Sequence, residues 1–257
     1  MKEQITSVHN QHVKDWRKLQ TRKGRKKFGQ YLLDGWHLVQ EASRSNQRLI
    51  ALIGSAEELS QHEDIVARFE NVYEVTPEII KHITETDTPQ GILAVVEIPD
   101  VNQVTNPKAG AWLLLDRVQD PGNVGTMVRT ADAAGFAGVV ASKRTADFFN
   151  PKVVRSMQGS QFHLLLVVAN LKRWINDFQD DQHPVYGTQL NPRAKNFRHV
   201  HPGKNFALVM GNEGQGMAEE LLNQTTANLY IPMRGNAESL NVAVSAGILM
   251  FQLNQES

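Results

Sequence analysis

The chain has 257 residues, 41% of them hydrophobic, and its 27 Lys+Arg balance 27 Asp+Glu, so the formal net charge is zero. That length and composition suit one large domain or two modest ones. The absence of cysteine excludes disulfides, thiolate metal sites and a cysteine nucleophile.

No apolar stretch reaches the roughly 20 residues needed to cross a bilayer, and the polar start Met1-Lys2-Glu3-Gln4 shows no signal peptide. A cytoplasmic protein is the expectation. The neutral total hides an asymmetry. Residues 1–48 carry 11 Lys/Arg and 4 Asp/Glu, whereas residues 49–100 carry 2 and 11. The basic charge gathers at Lys14, Arg17, Lys18, Arg22, Lys23, Arg25, Lys26 and Lys27. Such a cluster binds phosphate backbones through counterion release; the competing reading is a solvated helix face.

In chain order, Val13, Trp16 and Leu19 recur at helical spacing, and Gly24 is read as the break in that pattern. Phe28 to Leu33 reads as a short strand ending at Asp34-Gly35, and Trp36 to Ser43 as a helix. Strands are expected at Leu49–Ile53, Val72–Val75 and Gly91–Ile98, with helical stretches at Ala56–Glu70 and Pro77–Thr84. This alternation describes a small α/β domain over residues 1–98. Residues 99–110, with two prolines and no apolar periodicity, read as a linker.

The second domain, 111–257, has strand candidates Trp112–Leu115, Gly138–Ala141, His163–Val168, Val185–Thr188, Ala207–Met210 and Asn228–Ile231. Helices are expected at Gly125–Ala134, Pro151–Gln158, Leu171–Phe178, Ala218–Asn223 and Val242–Asn254. The fold class is α/β, a mostly parallel sheet with helices on both faces.

Three polar, glycine-bearing blocks close apolar runs of this domain. They are Asn123-Val-Gly125 through Arg129-Thr130-Ala131, Gly211-Asn-Glu213-Gly214-Gln-Gly216, and Ile231-Pro-Met-Arg-Gly235 through Ser239-Leu240-Asn241-Val242. Strand-to-helix turns of this kind are where α/β proteins put ligands. Neither the dinucleotide fingerprint nor a P-loop is present. Ser239 is not in a hydrolase elbow, and His199 and His201 alone are weak evidence for a metal.

In type, order and spacing, the three blocks resemble the three motifs of the SpoU (TrmH-like) branch of the SPOUT RNA 2′-O-ribose methyltransferases. The N-terminal segment resembles that family's small α/β RNA substrate-binding domain, with Asp34-Gly35 where relatives commonly carry Glu-Gly. The resemblance implies a C-terminal trefoil knot, which generic topology rules treat as essentially absent. It also implies a homodimer, S-adenosylmethionine as cofactor, no catalytic metal, and RNA as partner, ribosomal RNA ahead of tRNA.

Carried over residue by residue, the resemblance assigns Thr188, Gly211, Ile231 and Leu240 to the cofactor. It assigns Arg129, Asn123, Glu213, Ser239 and Asn241 to the acceptor side. Arginine is essentially never deprotonated, so Arg129 is expected to bind phosphate and to stabilise the developing alkoxide. Several of these residues also have structural readings. Asn123, Ser239 and Asn241 are N-cap candidates, Glu213 is expected to hold either Arg129 or a backbone turn, or to be a helix-start carboxylate, and Ile231 and Leu240 suit ordinary packing. Arg144, Arg155 and Arg234 are further candidates for phosphate contact, Arg155 being counted with the RNA-binding set. Two rival functions stand beside this one: a non-catalytic RNA-binding or assembly factor that keeps the fold, and a nucleotide-dependent oxidoreductase.

Overall fold

The structure is a computed structural model; it describes residues 2–84, 88–99, 109–189, 191 and 193–255. Most of the expected linker therefore lies outside the described residues. The chain divides into two compact units, Met1–Asp100 with Phe149–Phe162, and Val101–Phe148 with His163–Ser257.

The first unit holds β1 (Lys2–Ile5), α1 (Gln11–Lys18), α2 (Arg22–Phe28), β2 (Gln30–Asp34), α3 (Trp36–Arg44) and β3 (Leu49–Gly54). It continues with α4 (Ala56–Gln61), α5 (Glu63–Val66), β4 (Val72–Val75), α6 (Pro77–Thr84) and β5 (Ile92–Glu97). The strands form one sheet in the order β1-β4-β3-β5-β2. β1, β4 and β3 pair parallel, and β5 runs antiparallel to β3 and β2. Val13, Trp16 and Leu19 are buried, packed with Ile79, Ile80 and Ile83 of α6 against this sheet.

Gly24 is a correction. It lies inside α2, and the break falls earlier, where Thr21 caps α2 by accepting from the Gly24 N–H at 3.1 Å. A Cβ at Gly24 would collide with the Lys18 carbonyl, so the glycine is there for close approach, not for termination.

The second unit holds β6 (Ala111–Leu115), α7 (Pro121–Ala133) and β7 (Gly138–Ala141). The next helix, α8 (Pro151–Met157), belongs to the first unit. The second unit resumes with β8 (Leu165–Val168), α9 (Leu171–Asp180), β9 (Val185–Thr188) and β10 (Lys195–Asn196). It ends with β11 (Phe206–Met210), α10 (Glu219–Leu222), β12 (Ala227–Tyr230) and α11 (Val242–Leu253). Seven strands pair in the order β10-β12-β9-β11-β6-β7-β8, all parallel. Every residue of β6 and β11 is buried, as expected for central strands covered on both faces.

Register now decides what comes together. Leu115 pairs with Met210, and Thr188 pairs with Leu229. The turns that follow β6, β9, β11 and β12 therefore emerge side by side at the C-terminal edge of one parallel sheet.

Candidate active site

The turn after β6 is a helix start. Asp120 accepts from the Asn123 N–H at 2.8 Å, and Pro121 takes the first helical position, where its missing N–H costs nothing. The helix therefore begins four residues before the expected Gly125. Asp120 rather than Asn123 is the cap, which leaves the Asn123 side chain free for other partners.

Those partners belong to the other two blocks. Asn123 Nδ2 donates to Glu213 Oε1 at 3.1 Å, and Asn241 Nδ2 donates to Asn123 Oδ1 at 3.0 Å. Asn241 also caps α11, its Oδ1 accepting from the N–H groups of Ala243 and Val244, so capping and bridging coexist. Glu213 accepts from the N–H groups of Gln119 and Asp120 at 3.2 and 3.0 Å. Of the two partners expected for Glu213, the structure gives it the backbone turn. Burial alone would raise its pKa. The hydrogen bonds from Asp120, its own N–H, Asn123 and Gln119 outweigh that and hold the carboxyl below its usual value.

The turn after β11 closes on itself. Asn212 and Gly216 exchange both backbone bonds, at 3.0 and 2.9 Å, and Asn212 Oδ1 accepts from the N–H groups of Gly214 and Gln215. Gly211 is essential to this shape, because a Cβ there would collide with the backbone of Gly216 and Met217.

Between this turn and the segment Ile231–Val242 lies a cavity of about 270 Å³. Thr188, Gly211, Ile231 and Leu240, the four residues assigned to the cofactor, all line it, together with Glu213 and Ser239. Met210, Leu229, Met233 and Leu249 add apolar cover, and Glu238 and Ser245 add polar atoms. The sequence reading missed these six. Arg129 does not line the cavity; it is exposed on α7 and makes no ion pair among the described residues. Asp116 and Arg117, also missed, follow the buried run of β6 and fasten the glycine turn from its other side. The apolar run preceding them was the available signal.

In the first unit, Lys14, Arg17 and Lys18 line a groove of about 740 Å³ with His9, Gln20 and His82. Arg22, Lys23, Lys26 and Lys27 are exposed. Arg25 must be withdrawn from the RNA-binding set. It is 3% exposed, and its guanidinium donates to the carbonyls of Leu19 and Gln20, each at 2.9 Å. It locks the α1–α2 turn. Arg155 pairs with Asp34 at 3.4 Å while about half its side chain stays exposed.

Comparison with known proteins gives these features a context. Residues 110–251 match the model of the SpoU rRNA methylase family, and residues 10–94 match that of the MRM3-like substrate binding domain. The chain is 44% identical over 250 residues to the 23S rRNA (guanosine(2553)-2′-O)-methyltransferase RlmP of Bacillus subtilis, covering 97% of this chain and 98% of that one. It is 32% identical to an uncharacterized tRNA/rRNA methyltransferase of Synechocystis over 98% of this chain and 93% of the relative. The crystal structure of an AdoMet-bound rRNA methyltransferase from Sinorhizobium meliloti superposes with a TM-score of 0.86 at 33% identity, covering 98% and 97% of the two chains. With its three motif blocks gathered at one sheet edge, the chain belongs to the SpoU rRNA methylase family and is an S-adenosylmethionine-dependent RNA 2′-O-methyltransferase.

Proposed function

We propose that the chain methylates the ribose 2′-hydroxyl of a guanosine in 23S ribosomal RNA, in the cytoplasm, as a homodimer. The observation that carries the substrate reading is the match to the Bacillus subtilis enzyme along nearly the whole of both chains, RNA-binding part included. The same reading divides the labour between an RNA-recruiting domain, 1–98, and a knotted catalytic domain, 111–257, joined by 99–110. The dimer is supported by Val244, Ile248 and Phe251, exposed by 52%, 36% and 55%. They recur one helical turn apart on α11, an apolar stripe of the kind that marks an interface.

The cavity fits the cofactor. Gly211 lets the turn pack tightly at the cavity wall, Ile231 and Leu240 give apolar cover, and Thr188 stands at the strand end. When bound, S-adenosylmethionine supplies an electrophilic methyl group. The chain's own task is to place the acceptor in line and to favour its alkoxide. The row Asn241–Asn123–Glu213 fixes the three blocks to one another and, with Ser239, shapes the acceptor side, so positioning is a large part of the rate. Arg129 carries a guanidinium suited to phosphate and oxyanion recognition. Its role is to bind a substrate phosphate and to stabilise the negative charge that develops on the 2′-oxygen.

The test is transfer of labelled methyl groups to ribosomal RNA and tRNA from cells lacking the enzyme, followed by nucleoside digestion and mapping of alkali-resistant linkages. The expected product is 2′-O-methylguanosine in 23S RNA. Label confined to tRNA, or to a base, overturns the substrate reading.

A further inference from the structure

Arg117 has φ +58°, a left-handed conformation that costs a side-chain-bearing residue energy and persists only where its surroundings over-determine it. A glycine would take this backbone without strain, so the reason for an arginine lies in its side chain. That side chain grips the glycine turn. Nη1 donates to Gln215 Oε1 and Nη2 to the Gly216 carbonyl, each at 3.3 Å, while Nε and Nη2 hold the Asp116 carboxylate at 3.1 Å.

The backbone of the same dipeptide and the Asp116 carboxylate hold the rest of the turn. The Arg117 carbonyl accepts from Asn212 Nδ2 at 2.9 Å, Asp116 Oδ2 accepts from the Ala218 N–H at 2.8 Å, and the Asp116 N–H donates to the Met210 carbonyl at 2.8 Å. The Arg117 N–H is itself anchored on Ser142 Oγ at 3.0 Å. Entry and exit of the turn are thus fastened to two consecutive residues, one of them an aspartate 4% exposed. Gly211, Asn212, Glu213 and Gly216 present the other side of that turn to the cavity.

We propose that Arg117 is a positioning residue that keeps the turn 211–217 in its cofactor-competent shape; this rests on the reading of the cavity as the S-adenosylmethionine site. Without the clamp the competent shape becomes a minor population, and the apparent affinity falls by that fraction.

The experiment compares wild type, Arg117→Lys and Arg117→Gly. Lysine keeps the charge beside Asp116 but lacks the fork that reaches Gln215 and Gly216; glycine removes the clamp together with the strain. For both variants the expected result is an S-adenosylmethionine Kd raised by about tenfold, with kcat at saturating cofactor within about twofold of wild type. Faster amide exchange at 212–217 in the cofactor-free protein accompanies it, and the melting temperature of Arg117→Gly is not lowered in proportion. Unchanged exchange at 212–217 overturns the clamp whatever the cavity binds. Faster exchange with an unchanged Kd overturns its role in cofactor binding. Failure of the wild type to bind the cofactor overturns the reading of the cavity, and the exchange data still decide the clamp.

Discussion

The proposed cofactor side and the proposed acceptor side of the site are built differently. Thr188, Gly211, Ile231 and Leu240 converge on one cavity within the second unit, shaped by backbone turns and apolar cover. On the acceptor side, Asn123, Glu213 and Asn241 form a hydrogen-bonded row, but Arg129 stands exposed and outside the cavity. On the proposed reading, the cofactor cavity is already lined by the folded chain, whereas Arg129 awaits its partner from the RNA.

The sharpest way to break this contrast is Arg129→Ala. Transfer should fall by about a hundredfold to a thousandfold, as for loss of a group that stabilises transition-state charge, while cofactor Kd stays within about twofold. Single-turnover transfer alongside calorimetry reads both. The converse variant, Gly211→Ala, drives a methyl group into the backbone of Gly216 and Met217. Cofactor affinity should drop about tenfold or more, equivalent to about 1.4 kcal/mol, with RNA binding retained; equal Kd values would show that the turn is not the cofactor wall.

A smaller effect separates two kinds of basic residue in the first unit. Replacing Lys23, Lys26 and Lys27 by alanine should weaken RNA binding and flatten its salt dependence, by about 0.7 in log–log slope for each single-strand phosphate that the variant no longer neutralises. Arg25→Ala should leave that slope alone and instead cost about 1–3 kcal/mol of stability through unmade buried hydrogen bonds. An unaltered slope in the triple variant would return the lysines to a solvated face.

The smallest effect concerns Glu213. Its folded-state pKa is depressed, so its contribution is full above the unfolded carboxylate range and is lost as pH falls through the lower folded value. The stability difference between wild type and Glu213→Gln should therefore be constant through neutral pH and shrink only in acid. A difference that changes near neutrality would mean that another group governs the row.

Much of this architecture was legible from residues. Val72–Val75, Pro77–Thr84, Gly138–Ala141 and Val185–Thr188 form the elements expected, with the expected limits, because each is an apolar segment bounded by turn-forming residues. β1 was missed because only Ile5 of its four residues is buried, so an edge strand left no alternation to read. β10 has two residues, too few for any pattern. The start of α7 was misplaced because capping by Asp120 and the proline at its first position outweigh the glycines within it.

Site residues show the same boundary. That Gly211, Ile231 and Leu240 share one cavity was readable through their motif blocks, but nothing in a run of eight cations marks Arg25 as the one turned inward. Likewise, the partners of Arg117 at Gln215 and Gly216 lie about a hundred residues away along the chain, and local sequence carries no trace of its left-handed backbone.

Equilibrium binding of S-adenosylmethionine to the wild-type protein without RNA, repeated with Arg129→Ala and Gly211→Ala, tests the division between the two sides most directly. Saturable binding is expected in the absence of RNA, with the same affinity in Arg129→Ala and a large loss in Gly211→Ala. Binding that requires RNA, or that disappears with Arg129, would contradict that division.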